Sequence, residues 1–235
     1  MKIKNHKEDF IMATLSGNVV SGTSLKTNKG FDTATKLTVQ TAQTLANNGY
    51  SFCIRYLSRQ SGQQSGDLDN TEAGAILLTG LALMAVQHCE GGYWIANGTK
   101  GATYGANAAA NAQSIGLPKG VTLWLDLEQV SSSCTSTDII AYCNNWYDQV
   151  NAYGYEPGIY VGANCGLTGT QLYNNLKFQH YWKSMSTVPS IPTRGYQMTQ
   201  SATTTVGGIS IDPDTITADS LGGTPHLIYQ PGTSV

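Results

Sequence analysis

The stretch VTLWLDLEQV, residues 121–130, decides how this chain is read. Val121, Leu123, Leu125 and Leu127 alternate with Thr122, Trp124, Asp126 and Glu128. Side chains along a strand point alternately to its two faces. The stretch therefore predicts a strand with one aliphatic face and one face that ends on two carboxylates, about 7 Å apart along the strand. The aliphatic face predicts packing against helices, and the other must look into something wetter.

Outward from this strand, short apolar runs alternate with helical patterns. Upstream, KGFDTAT, SFCIRYLS and LMAVQHCE read as strands. TVQTAQTLANNG, NTEAGAILLTGLA and the Ala-rich GATYGANAAANAQSIG read as helices. Downstream, STDIIAYCNNWYDQVNAYG is helical, PGIYVG a strand and TGTQLYNNL a short helix. FQHYWKS, RGYQMTQ and GISIDPD complete the strands. Eight strands mostly separated by helices predict a parallel sheet. In roughly 200 residues they predict a small α/β fold, a (β/α)8 TIM-type barrel. Its last third is expected to be irregular, because the helical patterns weaken there. A doubly wound open sheet is the rival architecture, but neither GxGxxG nor GxxxxGK[ST] follows the first strand. The expected organisation is an N-terminal arm or tail over 1–27, a barrel over 28–222 and a C-terminal tail over 223–235.

Composition narrows the function. The chain has 235 residues, a formal net charge of −2 and only 12% charged residues. That excludes a nucleic-acid binder driven by phosphate contacts. No basic run points to an anionic membrane, and no apolar stretch is long enough to insert into one. Amides, hydroxyls and 13 Tyr must cover the surface, which suits neutral, hydroxyl-rich ligands such as sugars. The N-terminus MKIKNHKEDFIM lacks the apolar segment of a signal peptide. The expected location is the cytoplasm, or the cell wall by a route without a cleavable signal. Five cysteines, an odd count with no CxxC pair, predict free thiols and no structural zinc. Cys53 and Cys89 are expected as buried filler, and His88 and His180 as core or supporting residues. No cofactor is expected.

In such a barrel, chemistry gathers at the C-terminal strand ends. Asp32 ends the first strand, Glu90 the third, Asp126 and Glu128 the fourth, and Asp212 and Asp214 the eighth. Arg55, Tyr160, Trp182 and Gln200 lie on the second, fifth, sixth and seventh. One acid at a strand end means little, and a solvated terminus or helix cap would account for it. Convergence of several on one mouth means more. Crowded carboxyls raise each other's pKa, and nearby Trp and Tyr rings add desolvation. A carboxyl kept protonated near neutrality serves as a general acid beside an ionised partner, as glycoside hydrolysis needs. The same acids could instead hold Mg²⁺ or Ca²⁺. Arg55 is expected to neutralise the mouth acids or position a substrate group. Tyr93, Trp94, Tyr160, Tyr181 and Trp182 are read as sugar-stacking platforms or as packing.

The strings GFDT, FCIRYLS, TEAGAI, QHCE, LWLDLE, PGIYVG, HYWKSMS, YQMTQS and GISIDPD together resemble the glycoside-hydrolase-like domain of unknown function family 1906 over about residues 29–222. That family is similar to the family 25 glycoside hydrolases, muramidases that cleave peptidoglycan. The resemblance implies a barrel acting on peptidoglycan or a related N-acetylated glycan. It implies catalytic roles for Asp32, Asp126, Glu128 and Asp212, with Glu128 as proton donor; separately, no metal is expected at the site. Arg55, Glu90, Tyr160, Trp182 and Gln200 are the expected substrate-binding residues. Glu90 and Asp214 depart from the muramidase pattern. Two other functions stay open: a glycan-binding barrel without turnover, and a metal-dependent phosphodiesterase-like barrel.

Overall fold

Runs of alternating apolar residues and capped helices give this chain the wall of a closed barrel. The computed structural model describes residues 14–231. Strand β1 (Asn18–Ser21) precedes β2 (Lys29–Asp32), β3 (Phe52–Leu57), β4 (Ala82–Gln87), β5 (Thr122–Leu127), β6 (Glu156–Val161), β7 (His180–Lys183) and β8 (Met198–Gln200). Strands β9 (Thr204–Val206), β10 (Ile209–Ile216) and β11 (His226–Tyr229) follow. Strands β2 to β8 pair in order and in parallel, and β10 closes the ring between β8 and β2. Helices α1 (Val39–Asn47), α2 (Asn70–Leu78), α3 (Gly98–Ile115), α4 (Ser136–Ala152) and α5 (Gly169–Asn175) accompany the first six of these strands. Thr38, Asp69, Asn97, Thr135 and Thr168 each accept a bond from the backbone N–H three residues on. These caps satisfy donors that a helix start leaves unpaired. No helix among the described residues is long and apolar enough to cross a membrane.

The eight barrel strands are those expected, but the last runs the other way. Strand β10 is antiparallel to both β8 and β2. Only residues 201–208 separate it from β8, fewer than the dozen or so that a parallel crossover needs. The chain turns back through β9 instead, so β10 starts above the mouth and descends. Asp212 lies level with Asp32, and Asp214 lies one layer deeper, opposite Gly30.

The segments expected as tails also differ. Strand β1 pairs with β11, and β11 joins β4 through Ile228 and Leu83. Leu227 and Ile228 are fully buried there, so burial of two residues, too short a run to show a period, ties β11, and β1 paired with it, to the barrel. Residues 1–13 and 232–235 lie outside the described part.

Large and small side chains alternate inside the barrel. A Cβ on Gly30 would lie 2.2 Å from the Phe52 ring, and one on Gly158 2.5 Å from Trp124. Trp124 in turn meets Trp182 edge-on at 5.7 Å. These rings fill the centre. Outside, the Gly-rich face of α3 lets α4 approach closely: a Cβ on Gly101 would lie 2.1 Å from the Tyr142 carbonyl oxygen.

Candidate active site

The alternation of β5 sends Trp124 and Asp126 inward, and Glu128 continues the same face one residue past the strand. Gln129 then adopts a left-handed backbone (φ 52°), which turns the chain outward at once. Glu128 is fixed by its neighbours. Its carbonyl accepts a bond from Trp94 Nε1 at 2.8 Å. A Cβ on Gly162 would lie 2.5 Å from Glu128 Cβ, so β6 leaves the acid room only because that residue is glycine.

Asp126, Glu128, Asp212, Tyr56, Tyr160 and Gln200 line one cavity of about 140 Å³ at the C-terminal end of the barrel, with Val86 and Trp182. Asp32 sits just beneath, buried, and takes bonds from Tyr56 OH (3.1 Å) and Gln200 Nε2 (2.7 Å). Tyr160 OH donates to Gln200 Oε1 at 2.9 Å, which orients that amide. Thr203 Oγ1 donates to Asp212. Asp214 accepts from Trp182 Nε1 at 2.9 Å. Burial and the neighbouring Asp32 carboxylate push the Asp214 carboxyl well above the usual range.

Two buried side-chain atoms among the described residues lack a hydrogen-bond partner, Asp126 Oδ1 and Asp214 Oδ2. Each such orphan costs on the order of 1–3 kcal/mol. The cost falls on acids of the mouth, where a substrate group or a shared proton would relieve it. Burial and then the charge of Glu128 push the Asp126 carboxyl well up. Burial also raises Glu128. Burial, with a contribution from Asp212, lifts Asp32 to about 6 against the pull of its bonds from Gln200 and Tyr56. The mouth therefore retains protons that exposed carboxyls would lose.

The structure separates the expected binding residues. Tyr160, Trp182 and Gln200 line the cavity. Arg55 does not. It lies on the outward face of β3, fully buried, with Nε 2.7 Å from Glu72 Oε1 and Nη1 2.6 Å from the Thr33 carbonyl. Its carboxylate partner is on α2 rather than in the mouth, because position 55 falls on the opposite parity from Tyr56. Glu90 is drawn aside as well, held by Lys100 Nζ at 2.8 Å and by Tyr104 OH at 3.1 Å. Trp94 and Tyr181 are buried packing, whereas Tyr93 stands exposed on the rim.

Two residues of the mouth were given no part in the site by the sequence. Tyr56 follows Arg55, and strand parity alone would have turned it inward. Cys89 is not filler, although all five cysteines are free. Its thiol donates to Glu128 Oε1 at 3.6 Å. The loop beyond it takes left-handed conformations at Gly91, Gly92 and Tyr93 (φ 73°, 68° and 55°). Gly92 N then donates to Gln129 Oε1 at 3.2 Å, tying this loop to the one that follows β5. Cys89 Sγ and one carboxylate oxygen each of Asp126 and Glu128 lie within 4.8 Å of one another, a group able to hold a metal ion.

Comparison with known proteins agrees with this architecture. Residues 43–216 match the model of the Rv2525c-like, glycoside hydrolase-like domain family. The chain is 35% identical over 158 residues to the uncharacterized protein YbfG of Bacillus subtilis (strain 168); the match takes in 61% of this chain and about a fifth (21%) of that protein. Among solved structures, it is similar to the Tat-secreted protein Rv2525c of Mycobacterium tuberculosis. The TM-score is 0.60 at 15% identity, over 81% of this chain and 95% of that one. It is also similar to the catalytic domain of endolysin ply40 from bacteriophage P40 of Listeria monocytogenes. There the TM-score is 0.57 at 19% identity, over 82% and 94%. At these identities the two structures speak for the barrel alone. The sequence match spans most of that barrel, and on it the chain belongs to the Rv2525c-like, glycoside hydrolase-like domain family.

Proposed function

We propose that this chain is a glycosidase that cleaves peptidoglycan or a related N-acetylated glycan. One observation carries the reading: Asp126 and Glu128 share the inner face of one strand end, and both are held above the ordinary carboxylate range. Two such coupled acids do not both ionise readily, so the pair keeps a proton near neutral pH. Glu128 is the more exposed of the two. It delivers that proton to the glycosidic oxygen. Asp126, deeper and with a free oxygen, sets the proton affinity of the pair. Asp32, oriented by Tyr56 and Gln200, and Asp212 supply negative charge for an oxocarbenium-like centre. They also lie where a water or the substrate's own acetamido group would need orienting. Tyr160 is packed edge-on against Trp182 at 4.6 Å and offers an aromatic wall for a sugar ring.

The barrel shared with an endolysin catalytic domain supports a cell-wall glycan. A phosphodiesterase-like metal site built on Asp32, Asp126, Glu128 and Asp212 has less support. Both oxygens of Asp32 already accept bonds from side chains, and the metal-capable group excludes Asp32 and Asp212. The deciding experiment is incubation of the chain with purified peptidoglycan and measurement of new reducing ends. Their release is the expected result. Retention on the glycan without release would make the chain a binding barrel.

A further inference from the structure

Cys89 has no part in the glycosidase chemistry, yet it is placed against both acids of the pair. Its Sγ lies 3.6 Å from Glu128 Oε1. With metal–sulfur and metal–oxygen bonds of about 2.3 and 2.0 Å, two ligands of a tetrahedral zinc ion lie about 3.5 Å apart. The observed separation, a thiol–carboxylate hydrogen bond, matches the edge of such a tetrahedron. Asp126 adds a third ligand within the same 4.8 Å group. An independent observation points the same way: Asp126 is 92% buried, lines this cavity and carries an oxygen with no hydrogen-bond partner. The open side of the cavity leaves a fourth position for water, as three-ligand zinc sites have.

We propose that Cys89, Asp126 and Glu128 form a binding site for a thiophilic divalent cation such as zinc, and that its occupancy shuts off the acid pair. A thiolate among hard oxygens favours zinc over Mg²⁺ or Ca²⁺. Binding forms one sulfur–metal and two oxygen–metal bonds and releases to solvent both the Cys89 thiol proton and the proton held by the Asp126–Glu128 pair; no oxidant or reductant is involved. With the metal in place, Glu128 is held ionised through one oxygen beside a divalent charge, so it has no proton to deliver. That inhibitory half rests on the glycosidase reading, whereas the binding half does not.

The full, reduced chain is titrated with Co²⁺, which reports a coordinated thiolate by a charge-transfer band in the near ultraviolet. We expect one equivalent to produce the band, and Zn²⁺ to displace it. Cys89→Ser and Asp126→Asn should lose it, while Cys134→Ser, which alters another partly exposed thiol, should keep it. A native chain without the band, or a Cys89→Ser chain that retains it, overturns the site. With peptidoglycan as substrate, zinc should slow turnover of the native chain. The zinc concentration for half-inhibition should rise at least ~10-fold in Cys89→Ser, since even an outer partner of a metal ligand is typically worth that much. Equal zinc sensitivity of the two chains would also overturn the proposal. If the chain releases no reducing ends at all, the glycosidase reading fails and the cobalt band still decides the site.

Discussion

The barrel interior carries acids at both ends, and the two ends treat them in opposite ways. At the floor, Glu156 opens β6, level with Thr122. Its carboxylate is clasped by His180 Nε2 (2.8 Å), His226 Nδ1 (2.7 Å) and Thr122 Oγ1 (2.7 Å). Burial works against its charge, yet the bonds and charge of His180, with help from His226 and Thr122, hold its pKa down to about 2. At the mouth, about 13 Å further along the strands, Asp126 and Glu128 have each other and a thiol instead of a base. Their carboxyls are pushed up. The floor cavity is the larger, about 520 Å³ against 140 Å³, but its acid is fully paired. Volume does not mark the chemistry here; unmet electrostatic demand does.

This contrast can be broken by substitution. The largest effect is expected from Glu128→Gln. The amide is nearly isosteric but carries no transferable proton, so turnover of peptidoglycan should fall by about 10²–10⁴. Thermal unfolding should hardly change. Undiminished turnover would return the two acids of VTLWLDLEQV to a structural strand end. Gly162→Ala tests the same group through its position. The added methyl meets Glu128 Cβ at 2.5 Å and Oε2 at 2.7 Å. Displacing the acid by about 1 Å should cost on the order of 10² in rate. Activity equal to that of the native chain would show that the placement of Glu128 is not critical.

The floor should respond in stability rather than in rate. Glu156 is ionised more readily in the folded chain than in the unfolded one, where its pKa is near 4.5. Its contribution is complete above pH 4.5 and is lost as the pH falls towards 2. Glu156→Gln should therefore destabilise the chain by about 2 kcal/mol at pH 7, allowing for the partial exposure of the acid. It should leave kcat within about twofold. Denaturant midpoints of the two chains should converge only as the pH falls below about 2, and a gap that persists there would show that the clasp does not act through charge.

Asp32→Asn is the smallest and has the opposite sign. The folded state holds the Asp32 proton up to about pH 6, against 3.8 ordinarily. Its favourable contribution is present below pH 3.8 and is lost as the pH rises through 6. Near pH 8 the native chain bears a buried charge that the amide removes. The variant should gain about 1 kcal/mol, or ~2–4 °C in Tm, and lose activity. The gain should shrink as the pH approaches 4. A Tm that drops at pH 8 would show that the bonds from Tyr56 and Gln200 outweigh the desolvation of the charge.

The sequence alone was enough for the eight barrel strands, the five helical segments and the facing of Asp126 and Glu128, because these follow from the period of apolar residues and from local caps. Position on the strands also placed Tyr160, Trp182 and Gln200 at the mouth. Read strictly, it would have moved Arg55 outward and Tyr56 inward, since adjacent residues on β3 cannot share a face. The rest was decided by tertiary structure. The direction of β10 depends on how few residues join it to β8, and the burial of β11 on two leucine-like residues in a run too short to show a period. The fate of each polar side chain depended on partners distant in sequence. Glu90 is claimed by Lys100 and Tyr104, Asp32 by Gln200, and Glu156 by His180 and His226. Cys89 meets Glu128 across 39 positions because β4 and β5 run side by side in the barrel and both end at the mouth. Periodicity is a property of neighbours along the chain. Charge pairing and proton affinity belong to neighbours in space, and only the closed barrel brings those together.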